Sequence, residues 1–148
     1  MFTLGTMSSM SFDSFKKLHS ETIMYCQLIE HDLKWIYAYM HKGDQYENFD
    51  KLEKTTLGAL VKKLKELDNS SGELFISNDD YNFLKQMTEK RNFWCHQCFV
   101  EFMYEENFLY SNEYQRLCEK LRRDHDRLSS VCDSVEKVRL KAVREFAR

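Results

Sequence analysis

Apolar side chains recur every three or four positions along most of this chain. From about Ser11 to His41 the series is Phe15, Leu18, Thr22, Tyr25, Ile29, Leu33, Ile36 and Met40, one stripe of an amphipathic helix. Gly43, in "HKGDQYEN", is placed to end it. A second helix is predicted from about Phe49 to Leu67 on the stripe Leu52, Leu57, Leu60, Val61, Leu64 and Leu67, with Lys51, Lys54, Lys62, Lys63 and Lys65 off it. "DNSSGELFIS" is the clearest loop. Ser77 followed by Asp80 has the spacing of a capping box and predicts a third helix running to about Tyr104 or beyond. After a break near "NFLYSN", the last helix runs from about Glu113 to Phe146 on Leu117, Leu121, Leu128, Val131, Val135, Val138 and Ala142.

Four long helices with short links predict an all-α, up-and-down bundle. Composition agrees. The 148 residues contain no Pro and only four Gly (Gly5, Gly43, Gly58, Gly72), too few turn formers for a sheet-rich domain. Residues 1–10 read as a flexible tail and 11–148 as one domain. Net charge is −2 from 22 basic and 24 acidic side chains, so no global field draws in nucleic acid and any such binding needs a local patch. Lys62, Lys63 and Lys65, or "LRRDHDR" at 121–127, are candidate phosphate contacts. They are equally well read as solvated helix faces, and Asp124 and Asp126 weaken the second. The five Cys (26, 95, 98, 118, 132) lack the spacing of a disulfide framework. "MFTLGTMSSM" has no signal-peptide pattern, and no apolar run approaches the ~18 residues of a spanning helix. A cytoplasmic protein with reduced thiols and no membrane partner is expected.

The third helix carries the candidate chemistry. At about 100° per residue, Leu84, Met87, Arg91, Trp94, Cys95, Cys98 and Phe102 share a core-facing sector. Lys90, Gln97 and Glu101 share a solvent sector. Lys85, Glu89, Asn92, His96, Phe99 and Met103 share a third, which mixes apolar and polar groups as a partner-facing surface would. Asn92 and His96, four apart, can meet, whereas Arg91 and His96 differ by about 140°. An unpaired guanidinium in a core stripe is costly, so Arg91 must find an anion or a wet cavity. "CHQC", 95–98, invites a zinc reading, but structural zinc takes four ligands and no second C-x-x-C or H-x(3–5)-H occurs. Buried thiols are the better account, with no metal and no cofactor expected. His125, between Leu121 and Leu128, reads as a satisfied core histidine, and His19, His31 and His41 suggest no role.

"EKRNFWCH", 89–96, resembles the signature of HEPN domains (higher eukaryotes and prokaryotes nucleotide-binding). That signature is an Arg, four to six residues with a polar one often directly after the Arg, then a His, on a bundle helix. Arg91, Asn92 and His96 match it with the shortest gap. "TTLGALVKKLKEL", 55–67, is similar to the second helix of some members, and helix order and length extend the likeness over most of the chain. The resemblance implies a metal-independent endoribonuclease cleaving single-stranded RNA, a homodimer whose two motifs face each other across the interface. Many members are toxins or defence components held by an antitoxin or other regulatory protein. One branch carries a Tyr two residues after the His that its antitoxin modifies; Cys98 stands there, so that regulation is not carried over.

The residue types suit the chemistry. Transesterification of RNA needs a proton moved between the 2′-OH and the leaving 5′ oxygen, a task for a His such as His96. It also needs positive charge on the phosphorane, which the donor fork of Arg91 supplies. Asn92 and Glu89 would support, orienting His96 or holding a phosphate oxygen. The rival class is a non-catalytic dimeric helical module that binds a nucleotide or a protein through the same face.

Overall fold

A computed structural model describes residues 10–147. Among them there is no strand, and the elements are α1 (Phe12–Met40), α2 (Gln45–Asp50), α3 (Leu57–Ser70), α4 (Asn78–His96) and α5 (Asn112–Phe146), with short 3-10 turns at Phe99–Glu101 and Phe108–Tyr110. The all-α expectation therefore holds. No helix among the described residues is long and apolar enough to cross a membrane. The expected tail lies outside the described residues, apart from Met10. The chain forms two compact units, one of residues up to Tyr25 with Glu89–Ser129, the other of Cys26–Thr88 with Ser130 onward.

The first and last helices follow their apolar stripes closely. Ser11 caps α1, its hydroxyl accepting the Ser14 N–H at 3.1 Å. Phe15, Cys26, Ile29, Leu33, Ile36 and Met40 are buried along it. Thr22 is buried too, with its hydroxyl donating to the Leu18 carbonyl at 2.8 Å. Gly43 follows α1 at φ +101, the left-handed conformation its sequence position calls for. The Asn48 amide donates to the Ala38, His41 and Lys42 carbonyls at 3.0, 3.2 and 3.2 Å, satisfying groups orphaned by the helix end. Ser111 caps α5 through the Tyr114 N–H at 3.1 Å, and its 35 residues span about 50 Å at 1.5 Å each.

The middle of the chain departs from expectation twice. The single predicted helix from Phe49 to Leu67 is two helices. Asp44 caps α2, accepting the Tyr46 N–H at 2.7 Å, and Thr56 caps α3, accepting the Ala59 N–H at 3.2 Å. A capping hydroxyl offers the backbone an alternative to continuing the helix, and the periodicity of Leu52 and Leu57 does not register it. In the second unit Asp68 is fully buried at the end of the α3 stripe. It accepts from the Phe75 and Ile76 N–H groups at 2.8 and 3.2 Å and from the Tyr81 hydroxyl at 2.6 Å, pinning the loop before α4. Burial, and then the Asp68 carboxylate, push the Tyr81 hydroxyl well above the usual phenol range.

The second departure is the length of α4. Ser77 starts it as the sequence indicates, accepting the Asp80 N–H at 3.1 Å, but it stops at His96 rather than near Tyr104. In the first unit Phe15, Trp94, Cys98, Phe102, Tyr114, Leu117, Cys118 and Leu121 form one buried cluster, with Phe12, Phe99 and Phe108 packed against it. Ring pairs such as Phe102–Tyr114 at 5.1 Å, Phe12–Phe108 at 5.2 Å and Phe15–Phe102 at 5.5 Å hold it together. Phe99 and Phe102 join the cluster through a 3-10 turn and a changed chain direction. Asn107, at φ +55, makes the next reversal, a conformation Asn tolerates better than most residues.

Candidate functional site at the end of α4

The last two turns of α4 lie in the first unit, and Trp94 is the residue that positions them. Its ring is fully buried. The indole N–H donates to Asp124 Oδ2 at 2.9 Å, and Asp124 Oδ1 accepts from Lys90 Nζ at 3.1 Å. Asp124 is itself buried, 6% exposed, so its charge is balanced by one ammonium and one neutral donor rather than by water. The ammonium of Lys120 lies 3.7 Å from the Phe93 ring centroid, over the neighbouring residue.

The backbone of Trp94 is held as firmly. His19 Nε2 donates to the Trp94 carbonyl at 2.6 Å, and the Cys98 thiol donates to the same oxygen at 3.4 Å. In a continuing helix that oxygen would take the Cys98 N–H. Here the Cys98 N–H goes instead to the Phe93 carbonyl at 3.0 Å, beside the Gln97 N–H at 2.9 Å. This is the pattern that closes a helix. His19 thus competes for the carbonyl that would have carried α4 forward.

On this frame Glu89, Asn92 and His96 are exposed and Arg91 is half-buried. The four candidates occupy two consecutive turns, with His96 the last helical residue. Arg91 is not the fully enclosed core residue that the stripe implied, and half-burial removes the worst of the desolvation cost. The expected face running Asn92, His96, Phe99, Met103 is not one helix face. It breaks after His96, where Phe99 turns half-buried into the aromatic cluster while Met103 stays exposed.

Three further placements correct the sequence reading. Cys95 is exposed and Cys98 buried, so they do not share a core sector. Among the described residues no three His, Cys, Asp or Glu side chains cluster so as to hold a metal ion. Burial pushes the Cys98 thiol up to about 12. Lys90 is no solvent-face residue but the partner of Asp124. At the stripe of α5 the buried position between Leu121 and Leu128 is Asp124, and His125 sits half-buried at its margin.

His125 is held from two sides, Nε2 on Glu21 Oε1 at 2.8 Å and Nδ1 on Asp126 Oδ1 at 3.0 Å, with the Tyr25 ring edge-on at 5.4 Å. Burial lowers its affinity for a proton, but the bonds to Asp126 and Glu21 outweigh that and raise its pKa above 6.5. With both nitrogens aimed at carboxylates, it joins α1 and α5 within the first unit, most strongly when protonated. His19 and Asp124 are the residues that sequence reasoning missed. For Asp124 a signal existed, since it lies three after Leu121 and four before Leu128. For His19 there was none, because its partner is a backbone carbonyl.

No family model, curated protein or solved structure matches the chain.

Proposed function

We propose that this chain is a HEPN-like, metal-independent endoribonuclease, an up-and-down helical bundle that acts on single-stranded RNA as a two-fold dimer. The observation that carries the reading is the end of α4. Glu89, Asn92 and His96 reach solvent there beside a half-buried Arg91, on two turns locked by the bonds of Trp94 to His19 and Asp124. An exposed imidazole on a rigid support can meet a substrate proton, and a guanidinium five residues earlier on the same helix can meet phosphate oxygens.

In this reading His96 moves a proton between the 2′-OH and the leaving 5′ oxygen. The 2′ oxygen forms its bond to phosphorus as the P–O5′ bond breaks, leaving a 2′,3′-cyclic phosphate and a 5′-OH. Arg91 holds the non-bridging oxygens as charge develops, Asn92 orients His96 or a phosphate oxygen, and Glu89 supports them. The roughly 140° between Arg91 and His96 on one helix is the reason for two copies, which together bring two of each group to one groove. Val100, Met103, Tyr104, Leu109 and Tyr110, all exposed just beyond α4, supply apolar surface for that pairing. A toxin or defence role under the control of an antitoxin or other regulatory protein, in the cytoplasm, is consistent with this activity.

Those same exposed side chains, Tyr104 at 88% and Tyr110 at 83% above all, favour a second reading, a non-catalytic dimeric module that binds a nucleotide or a protein. Purified protein incubated with labelled single-stranded RNA in EDTA separates the two. Cleavage to cyclic-phosphate ends that is lost in a folded His96→Ala variant supports the nuclease, and intact RNA supports the module.

A further inference from the structure

The second unit holds a groove of about 490 Å³ lined by Gly58, Val61, Lys62, Lys65, Glu66 and Asn69 of α3 and by Lys85 of α4. Its volume falls within the range of small-molecule sites. Three ammonium groups line it against the single carboxylate of Glu66. Lys65 of α3 and Lys85 of α4 face the groove from two helices, near enough for the charge of one to act on the other. The close approach of Lys85 and its charge hold the Lys65 amine below the usual lysine range. Lys65 also lies 5.8 Å from the Tyr81 ring centroid, over its face.

Gly58 supplies an independent observation. Helix interiors disfavour glycine, and this one lies in the first turn of α3 without a positive φ. A Cβ built there meets no atom within 4 Å. Neither backbone conformation nor packing calls for glycine at this position. What the missing side chain does is leave the groove open beside the buried, apolar Val61.

We infer that this groove binds a small phosphate-bearing molecule, its dianionic head between Lys62, Lys65 and Lys85 and a short apolar body over Gly58 and Val61. Like charges lining one groove are relieved by an anion between them, and each ammonium gives the phosphate a charge-assisted hydrogen bond. Asn69, at the C-terminal end of the groove, offers an amide to a phosphate oxygen. The site is separate from the residues assigned to RNA cleavage and does not rest on that assignment.

Calorimetric titration of the full chain at low salt tests it, with phenyl phosphate, inorganic phosphate, phenol and a short oligodeoxynucleotide as probes. Phenyl phosphate is expected to saturate one site and to bind about tenfold or more tightly than inorganic phosphate, with phenol silent. Lys65→Gln and Lys85→Gln are each expected to weaken it about tenfold, as loss of one charge-assisted bond does. Gly58→Leu is expected to abolish binding while Tm stays level or rises, because a Cβ at this position meets no atom within 4 Å and a longer side chain takes up the groove. The inference is overturned by any of four results: no saturation with phenyl phosphate, equal affinity for inorganic phosphate, unchanged affinity in Gly58→Leu, or lysine-dependent binding of the oligodeoxynucleotide alone.

Discussion

His19 Nε2 donates to the carbonyl of Trp94 at 2.6 Å, joining residues 75 apart in sequence, and α4 ends where that bond forms. Replacing His19 by Ala frees the carbonyl and removes the contact of its ring with Phe99, whose centroid lies 4.8 Å away. A loss of about 0.5–1.5 kcal/mol is expected, because the acceptor keeps only the weak thiol bond from Cys98 at 3.4 Å. Hydrogen exchange reads the local effect, with faster exchange at the Gln97 and Cys98 amides than at those of α3. Uniform acceleration over all helices would instead mark a merely global loss of stability.

For the proposed nuclease, His96→Ala is expected to lower RNA cleavage by about 10²- to 10⁴-fold, the usual contribution of a positioned acid–base group. His96 is exposed, so its Tm should stay at the wild-type value. Arg91→Lys should also cost most of the activity, since Lys keeps the charge and loses the fork of donors. Arg91 is half-buried, so a melting curve must accompany its assay. A folded His96→Ala protein that cuts at the wild-type rate would end this reading.

His125 makes stability depend on pH in a definite direction. Its folded pKa lies above the 6.5 of the free side chain, so its contribution is fully present below about pH 6.5 and is lost as pH rises through the folded value. His125→Ala should therefore lower Tm more near pH 6 than near pH 9. Thermal melts of both proteins across that range test the sign. A Tm difference that grows with pH would contradict the placement of His125 between Glu21 and Asp126.

Thiol chemistry should single out one cysteine of five. Cys95 is exposed, whereas Cys26, Cys98, Cys118 and Cys132 are buried, and burial raises the thiol pKa of both Cys98 and Cys132. Native protein is expected to react quickly with one equivalent of a thiol reagent, and Cys95→Ser to remove that phase. Two fast equivalents in the native state would mean that one of these four thiols is not enclosed.

Much of the helical scaffold was legible in the chain. The stripe from Phe15 to Met40, the run from Leu117 to Ala142, Ser77 as a cap and Gly43 as a stop all rest on neighbours within a few residues, and the structure places them accordingly. The split of the second helix was less legible, because Thr56 is a cap only in competition with continued winding. Arg91, Asn92 and His96 could be singled out from residue types and spacing, but not their exposure.

What tertiary structure alone decided was the polar wiring of the interior. No periodicity indicates that Trp94 needs Asp124, 30 residues away, that Asp68 holds the Phe75 and Ile76 amides, or that His19 stops α4. Nor does it show Lys65 and Lys85 lining one open groove from two helices. Helix periodicity and caps act over one or two turns, so the order of residues determines them directly. A buried donor or acceptor must be satisfied by whichever group the folded chain brings within about 3 Å, and that partner exists only once distant segments have packed.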